Sequence, residues 1–145
     1  MDFAVPFDIS ASGLQAQRVR MQLISSNLAN LESTRTVQGG PYRRREAVFS
    51  STPLRAEPFD SVLRLATPAS QAVRVSAIVE DSRAPKRVYD PSHPDADPEG
   101  FIALPHINLM EEMVNLMSAT RSYEANATVI DAAKNMALRA LEIGR

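Results

Sequence analysis

Leu109-Met110-Glu111-Glu112-Met113-Val114-Asn115-Leu116-Met117 opens a proline-free stretch that runs to Arg145, and its reading decides the fold. Along that stretch Leu109, Met113, Leu116, Tyr123, Ala127, Ile130, Ala137 and Leu141 keep the alternating three-and-four spacing of an apolar helix face, with Thr120 and Lys134 filling the two gaps. Asn108 followed by Glu111 resembles a capping box, Glu111 and Glu112 lie at the positive end of the helix dipole, Arg139 lies near the negative end, and Gly144 suits the C-cap. The spacing predicts one helix over 108–145, on the order of 50 Å long. In its first turns Met110, Val114 and Met117 stand beside Leu109, Met113 and Leu116, widening the apolar arc to roughly 160°. A helix in water is held mainly by packing such a face. One partner helix covers less than this arc, so further helices from other chains are expected.

Working outward, proline maps the rest, because it removes a backbone donor and clashes with the preceding helical turn. None falls between Pro6 and Pro41 or after Pro105, and the others crowd the middle, so long helices fit only at the two ends. At the first end Leu14, Met21 and Leu28 recur every seven residues, with Ile24 and Leu31 three positions after Met21 and Leu28. Asp8 as N-cap and Phe7 as staple predict a helix from about Ile9 to Leu31. Gln17 and Arg18 interrupt its apolar face, and Ala11, Ala16 and Ala29 leave room for a close partner. In the middle, Val73, Val75, Ala77 and Val79 alternate as in a half-buried strand, with Ile78 out of phase. Tyr42 to Phe49, Arg87 to Tyr89 and Phe101 to Leu104 are weaker strand candidates, and Ser50 to Ser70 reads as a long, poorly ordered excursion. The expected fold is α+β: long N- and C-terminal helices paired as an antiparallel coiled-coil-like layer, residues 1–35 and 108–145, with a small β-rich middle lobe over residues 36–107.

Composition narrows the function. A chain of 145 residues, 44% hydrophobic and 23% charged, is the size and balance of one folded domain. A net charge of −1 offers no basic field for nucleic acid or anionic lipid, and with no cysteine there are neither disulfides nor thiolate metal sites. Met1-Asp2-Phe3-Ala4-Val5-Pro6 lacks the basic and apolar runs of a cleaved signal peptide, and no segment is long and apolar enough to cross a bilayer. Export, if it occurs, is expected to read some other feature.

Chemistry-bearing clusters are sparse. Asp95, Asp97 and Glu99 before Gly100 imitate the start of a calcium loop, but the twelfth position is His106 where a bidentate Glu is needed, and Pro91, Pro94 and Pro98 stiffen the stretch. It reads as a rigid, solvated turn. His93 and His106 are the only imidazoles, nothing pairs them with a nucleophile, and Gly39-Gly40 leads to Pro41 and charge instead of a phosphate-binding helix. No catalytic residue, metal or cofactor is expected. Arg43-Arg44-Arg45 reads as a charged strand edge or a set of salt bridges in preference to an anion site. Ser25, Ser26, Asn27 and Asn30, poor helix formers near the end of the first helix, fit either capping or hydrogen bonds to neighbours.

Those residues carry a resemblance. Ile24-Ser25-Ser26-Asn27-Leu28-Ala29-Asn30 resembles the N-terminal motif shared by bacterial flagellar rod and hook proteins. Gly39-Gly40-Pro41-Tyr42-Arg43-Arg44-Arg45, the run from Val88 to Asp97, and Glu111 to Val114 with Arg121 to Asn126 are similar to the proximal-rod branch of that family. Leu31-Glu32-Ser33 departs from its pattern. The resemblance implies a structural subunit of the axial rod that crosses the periplasm, leaves the cell through the flagellar type III export apparatus without a cleaved signal, and packs its terminal helices as the inner layer of a helical tube around the export channel. It implies as partners other copies of the chain, other rod proteins and the basal-body adaptor, with no nucleic acid and no membrane insertion. The residues expected at the assembly interface are Leu14, Met21, Ile24, Asn27, Leu28, Asn30, Leu109, Met113, Leu116, Tyr123, Asn126, Ile130 and Leu141. The competing readings are an intracellular export chaperone or adaptor that grips a client between amphipathic helices, and a glycan-binding module in the middle lobe.

Overall fold

The computed structural model describes residues 4–54 and 70–143. Helix α1 (Ala4–Ala29) leads to strands β1 (Arg45–Pro53), β2 (Gln71–Glu80), β3 (Lys86–Tyr89) and β4 (Phe101–Leu104), and helix α2 (Leu109–Ile143) follows. The chain is α+β, with long helices at its ends and small antiparallel sheets between them.

Helix α2 forms as its punctuation predicts. Asn108 Oδ1 accepts the Met110 N–H at 3.0 Å and the Asn108 carbonyl accepts the Glu112 N–H at 3.0 Å, which closes the first turn. Helix α1 starts earlier than predicted, at Ala4, so Asp8 and Phe7 lie inside it and do not cap it. Pro6 is tolerated because the first-turn N–H groups have no intrahelical acceptor to lose. The other end of α1 is closed by Asn30, whose Nδ2 donates to the Ser26 carbonyl at 2.8 Å and whose Oδ1 accepts the Ser33 hydroxyl at 3.0 Å.

The two helices lie antiparallel, since Asn27 meets Glu112, Met21 meets Thr120 and Gly13 meets Asn126. Their seam differs from the predicted stripe. It is made by Ser10, Ala16, Ile24 and Asn27 on α1 and by Glu112, Ala119 and Ala133 on α2, all buried. Small residues let the backbones approach, and at Gly13 an added Cβ would stand only 2.9 Å from Asn126 Oδ1. The large residues of the predicted stripe fall beside this seam or away from it: Leu116 and Ile130 are half-buried, while Leu109, Met113, Tyr123 and Leu141 are exposed.

Strands β1 and β2 form an antiparallel ribbon pairing Arg45 with Glu80 and Pro53 with Gln71. The register shifts between Val48 and Phe49, leaving Ser76 as an extra residue on β2 whose hydroxyl donates to the Val48 carbonyl at 3.0 Å. That bulge breaks the period of two, which is why Ile78 departs from the alternation. The ribbon rests on α1, tied by the Val73 N–H donating to Ser12 Oγ at 3.0 Å. Ser50–Pro53, expected in the irregular excursion, continue β1; residues 55–69 of that excursion lie outside the described residues.

Strands β3 and β4 pair Lys86 with Leu104 and Tyr89 with Phe101, burying Ile102. In the intervening turn, Asp90 to Gly100, two carboxylates brace the backbone, while Asp95 accepts the Thr34 hydroxyl at 2.7 Å and Arg87 pairs with Asp97 at 2.9 Å. Asp97 Oδ1 accepts the Glu99 and Phe101 N–H groups at 3.0 and 2.9 Å, and Asp90 Oδ1 accepts the Ser92 N–H and hydroxyl at 3.1 and 2.6 Å. These bonds stabilise the charged carboxylates: Asp97, bonded chiefly by the Phe101 amide, and Asp90, bonded chiefly by Ser92, both have lowered pKa values. Gly100 turns the chain with φ +81, against the Tyr89 ring.

Candidate assembly interface

Beneath the surface of the helix pair lies a polar knot that joins α1, β1 and α2. Asn27 is 0% exposed and uses its whole carboxamide. Nδ2 donates to the Arg45 carbonyl at 2.9 Å and to Glu112 Oε2 at 3.0 Å, while Oδ1 accepts the Arg45 N–H at 2.9 Å and the Tyr42 hydroxyl at 3.0 Å. The side chain thus occupies the place of a neighbouring strand at the first residue of β1. Glu112, 1% exposed, is held on its other oxygen by Arg44 Nε at 2.7 Å. Arg44 Nη1 also reaches Glu46 Oε2 at 2.8 Å. Burial pulls the Arg44 pKa down, but its hydrogen bonds to Glu112 and Glu46 outweigh this and hold the guanidinium above its ordinary value.

Two residues of the basic run, Arg44 and Arg45, are therefore salt-bridged within the chain. Arg45 pairs with Glu80 at 3.0 Å and stacks 5.8 Å over the Tyr42 ring, and Arg43 is exposed. Sequence reasoning missed Arg44, Glu112 and Tyr42 as a unit, because the residues are far apart in the chain. The available signal was phase: Glu112 lies seven residues before Ala119 and twenty-one before Ala133, on the seam of α2, where an unpaired carboxylate could not stay.

The predicted interface residues now divide. Asn27 and Ile24 are buried inside the chain, where Asn27 ties α1 to β1 and α2. Asn30 caps α1, and Asn126, half-buried against Gly13, donates back to the Ser122 carbonyl at 2.8 Å. Leu14, Met21 and Leu28 join Leu116 and Ile130 as half-buried shoulders of the seam.

What remains open to solvent is apolar. Leu109, Met110, Met113, Val114 and Met117 are all exposed. At about 100° per residue they form a face roughly 140° wide, turned away from the line of Glu112, Ala119 and Ala133. A second exposed set, Met136, Leu138 and Leu141, occupies the far end of α2. The register of the pair brings Ala4 level with about Met136, so the last turns of α2 run past the described start of α1. Against this, the buried apolar core among the described residues is Ala16, Ile24, Ile102, Ala119 and Ala133. Contiguous exposed apolar faces mark association surfaces.

Among the described residues no group of three or more His, Asp or Glu side chains is placed to hold a metal ion. His93 Nδ1 accepts the Asp95 N–H at 3.1 Å and so serves the turn.

A helix pair that hides its small residues and presents its large ones belongs to a structural subunit, completed by neighbours in an assembly. Residues 7–35 match the family described as flagella basal body rod protein, and residues 99–143 match the flagellar basal body rod FlgEFG protein C-terminal family. The flagellar basal-body rod protein FlgC of Bacillus subtilis strain 168 is 45% identical over 95% of both chains. FlgC of Borreliella burgdorferi is 43% identical over 94% of this chain and 93% of its own, and FlgC of Aquifex aeolicus is 39% identical over 98% and 97%. The chain belongs to the flagellar basal-body rod protein family.

Proposed function

We propose that the chain is built into the proximal rod through its helix pair, with α1 and α2 in an inner helical layer and the β1–β2 ribbon and β3–β4 hairpin outside it. As a member of the rod family it is a structural subunit of the bacterial flagellar basal body, assembling with other basal-body components. In this reading the helical layer is both the drive shaft that carries torque across the periplasm and the wall of the export channel. Its neighbours are other copies of the chain, other rod proteins and the basal-body adaptor. The chain reaches them through the flagellar type III export apparatus without a cleaved signal. Among the described residues no helix is long and apolar enough to cross a membrane.

The observation that carries the proposal is the face formed by Leu109, Met110, Met113, Val114 and Met117, exposed on a helix whose other side is already paired. Covering five half-exposed side chains of this size is worth on the order of 5 kcal/mol before the cost of association. Met117→Asp tests it. Met117 is exposed, so the free chain keeps its fold and thermal midpoint, but a charge carried into the covered face blocks rod assembly and swimming, while Met117→Leu preserves both. Normal rods assembled from the Met117→Asp chain would refute the proposal.

A further inference from the structure

The two faces of the β3–β4 hairpin are unlike. Side chains alternate along a strand and Tyr89 pairs with Phe101, so Val88 and Ile102 share one face, where Ile102 is buried, while Arg87, Tyr89 and Phe101 share the other. On that second face the Tyr89 ring meets Phe101 edge to face with centroids 5.3 Å apart, and the Arg87 guanidinium lies 4.7 Å from the Phe101 centroid. Phe101 is thereby half-covered, but Tyr89 is 64% exposed. The Tyr89 ring is also pinned. It lies against the backbone at Gly100, where an added Cβ would stand 2.9 Å from Cε2 and 3.5 Å from Cζ. A ring held along one side and open on the other presents a flat apolar surface of fixed orientation.

Polar groups stand at its rim. Arg87 Nη2 pairs with Asp97 Oδ2 at 2.9 Å and lies 3.5 Å from Glu99 Oε2. Among the described residues these contacts use Nη2 alone, so they orient the guanidinium and leave its other N–H donors to a ligand. Asp97 is further occupied by the Glu99 and Phe101 amides, and Asp90 by Ser92. Glu99, with its side chain 74% exposed, is the acceptor that remains.

This set of groups selects among ligands. Asp90, Asp97 and Glu99 outnumber Arg87, which disfavours an anion, and Arg87 at the edge of the ring disfavours a second cation. One ring with one donor and one acceptor falls far short of the roughly 800 Å² that each partner buries in a stable protein interface. It does match a neutral sugar ring, which packs its C–H face on an aromatic surface and is oriented by a few hydrogen bonds at the rim. An acetamido substituent supplies both an acceptor for Arg87 and a donor for Glu99.

We propose that the outward face of the β3–β4 hairpin binds a neutral glycan of N-acetylated amino sugars, one ring stacked on Tyr89, its acetamido carbonyl accepting from Arg87 and its N–H donating to Glu99. The site is separate from the apolar face of α2 and stands independently of the rod reading. One platform holds its ligand weakly, with a dissociation constant on the order of 1 mM, and several copies on one strand hold it more tightly.

Chitotetraose, a neutral β-linked oligomer of N-acetylglucosamine, tests the site with the full chain. Saturation-transfer NMR is expected to show transfer to its ring C–H and N-acetyl protons, with nuclear Overhauser contacts from those protons to the Tyr89 ring. Tyr89→Phe keeps the binding, Tyr89→Leu weakens it about tenfold, and Glu99→Ala weakens it several-fold, each variant being checked for folding by circular dichroism. Maltotetraose, which has no acetamido group, binds more weakly. Absence of transfer at about 10 mM chitotetraose, the same transfer with a folded Tyr89→Leu chain, or equal binding of maltotetraose would overturn the inference. Should Tyr89→Leu prove unfolded, the Overhauser contacts and Tyr89→Phe decide, and contacts to other residues alone would overturn it. A chain that ignores chitotetraose but loses its place in extracted rods on Tyr89→Leu would show a protein contact instead, again overturning it. None of these results touches the rod reading, and normal rods from the Met117→Asp chain would leave glycan binding unchanged.

Discussion

Replacing Asn27 by Ala removes four hydrogen bonds at once from a site closed to solvent. The groups left behind are the Arg45 N–H and carbonyl, the Tyr42 hydroxyl and Glu112 Oε2. Three are neutral and worth about 1 kcal/mol each, and the bond to the carboxylate is worth about 1.5–3 kcal/mol. The loss comes to about 4–6 kcal/mol, comparable to the entire stability of a marginal domain. Arg44 still holds the other carboxylate oxygen, so Glu112 is not left wholly unpaired. With a urea m-value of about 2 kcal/mol/M, the midpoint followed by far-ultraviolet circular dichroism falls by about 2–3 M. Asn27→Asp is expected to be worse, because it brings a second carboxylate against Glu112 and removes both donors. A fall of less than about 0.5 M for Asn27→Ala would refute the claim that this carboxamide ties α1, β1 and α2 together.

Further predictions follow from the same geometry. Truncating Glu112 or Arg44 to Ala each lowers stability by about 3–5 kcal/mol, because each leaves its partner's charge with little solvent to take it up; in a double-mutant cycle the double variant should lose far less than the sum. Gly13→Ala lowers the thermal midpoint despite the better helix propensity of Ala, since its Cβ meets Asn126 Oδ1 at 2.9 Å, and Asn126→Ala in the same chain should restore it. Asp81 accepts the Arg83 guanidinium and N–H, which lowers its pKa from 3.8 to about 2. Because the folded value is the lower one, this contribution is complete above 3.8 and is lost as pH falls toward 2. Acid titration of stability should therefore differ between the native chain and Asp81→Asn in that window alone, and only slightly, as the pair is near the surface.

Legibility in the sequence followed the range of each interaction. Proline spacing and the Asn108 cap are local, and they place α2 almost to the residue and β4 at Phe101–Leu104. The start of α1 was placed too late because Asp8 and Phe7 read as a cap and a staple, whereas Pro6 is tolerated in a first turn and the helix begins at Ala4. The seam was missed for a different reason. Hydrophobic periodicity follows the largest side chains, whereas the closest approach of these helices is made by Gly13, Ala16, Ala119 and Ala133, which contribute little to any hydrophobic pattern. A bulge at Ser76 is likewise invisible to a strict period of two. The knot could not be read from spacing at all, because Asn27, Arg44 and Glu112 share no local pattern and meet only once both helices and β1 are in place.

The outward face of α2 is claimed to be solvent-exposed in the free chain and covered in the rod. With no native cysteine to interfere, Met117→Cys reports on it through its rate of alkylation by a small water-soluble maleimide. Rapid labelling of the purified chain and strong protection in intact basal bodies, relieved when the rods are dissociated, is the predicted result. Labelling at the same rate in both states would contradict the account.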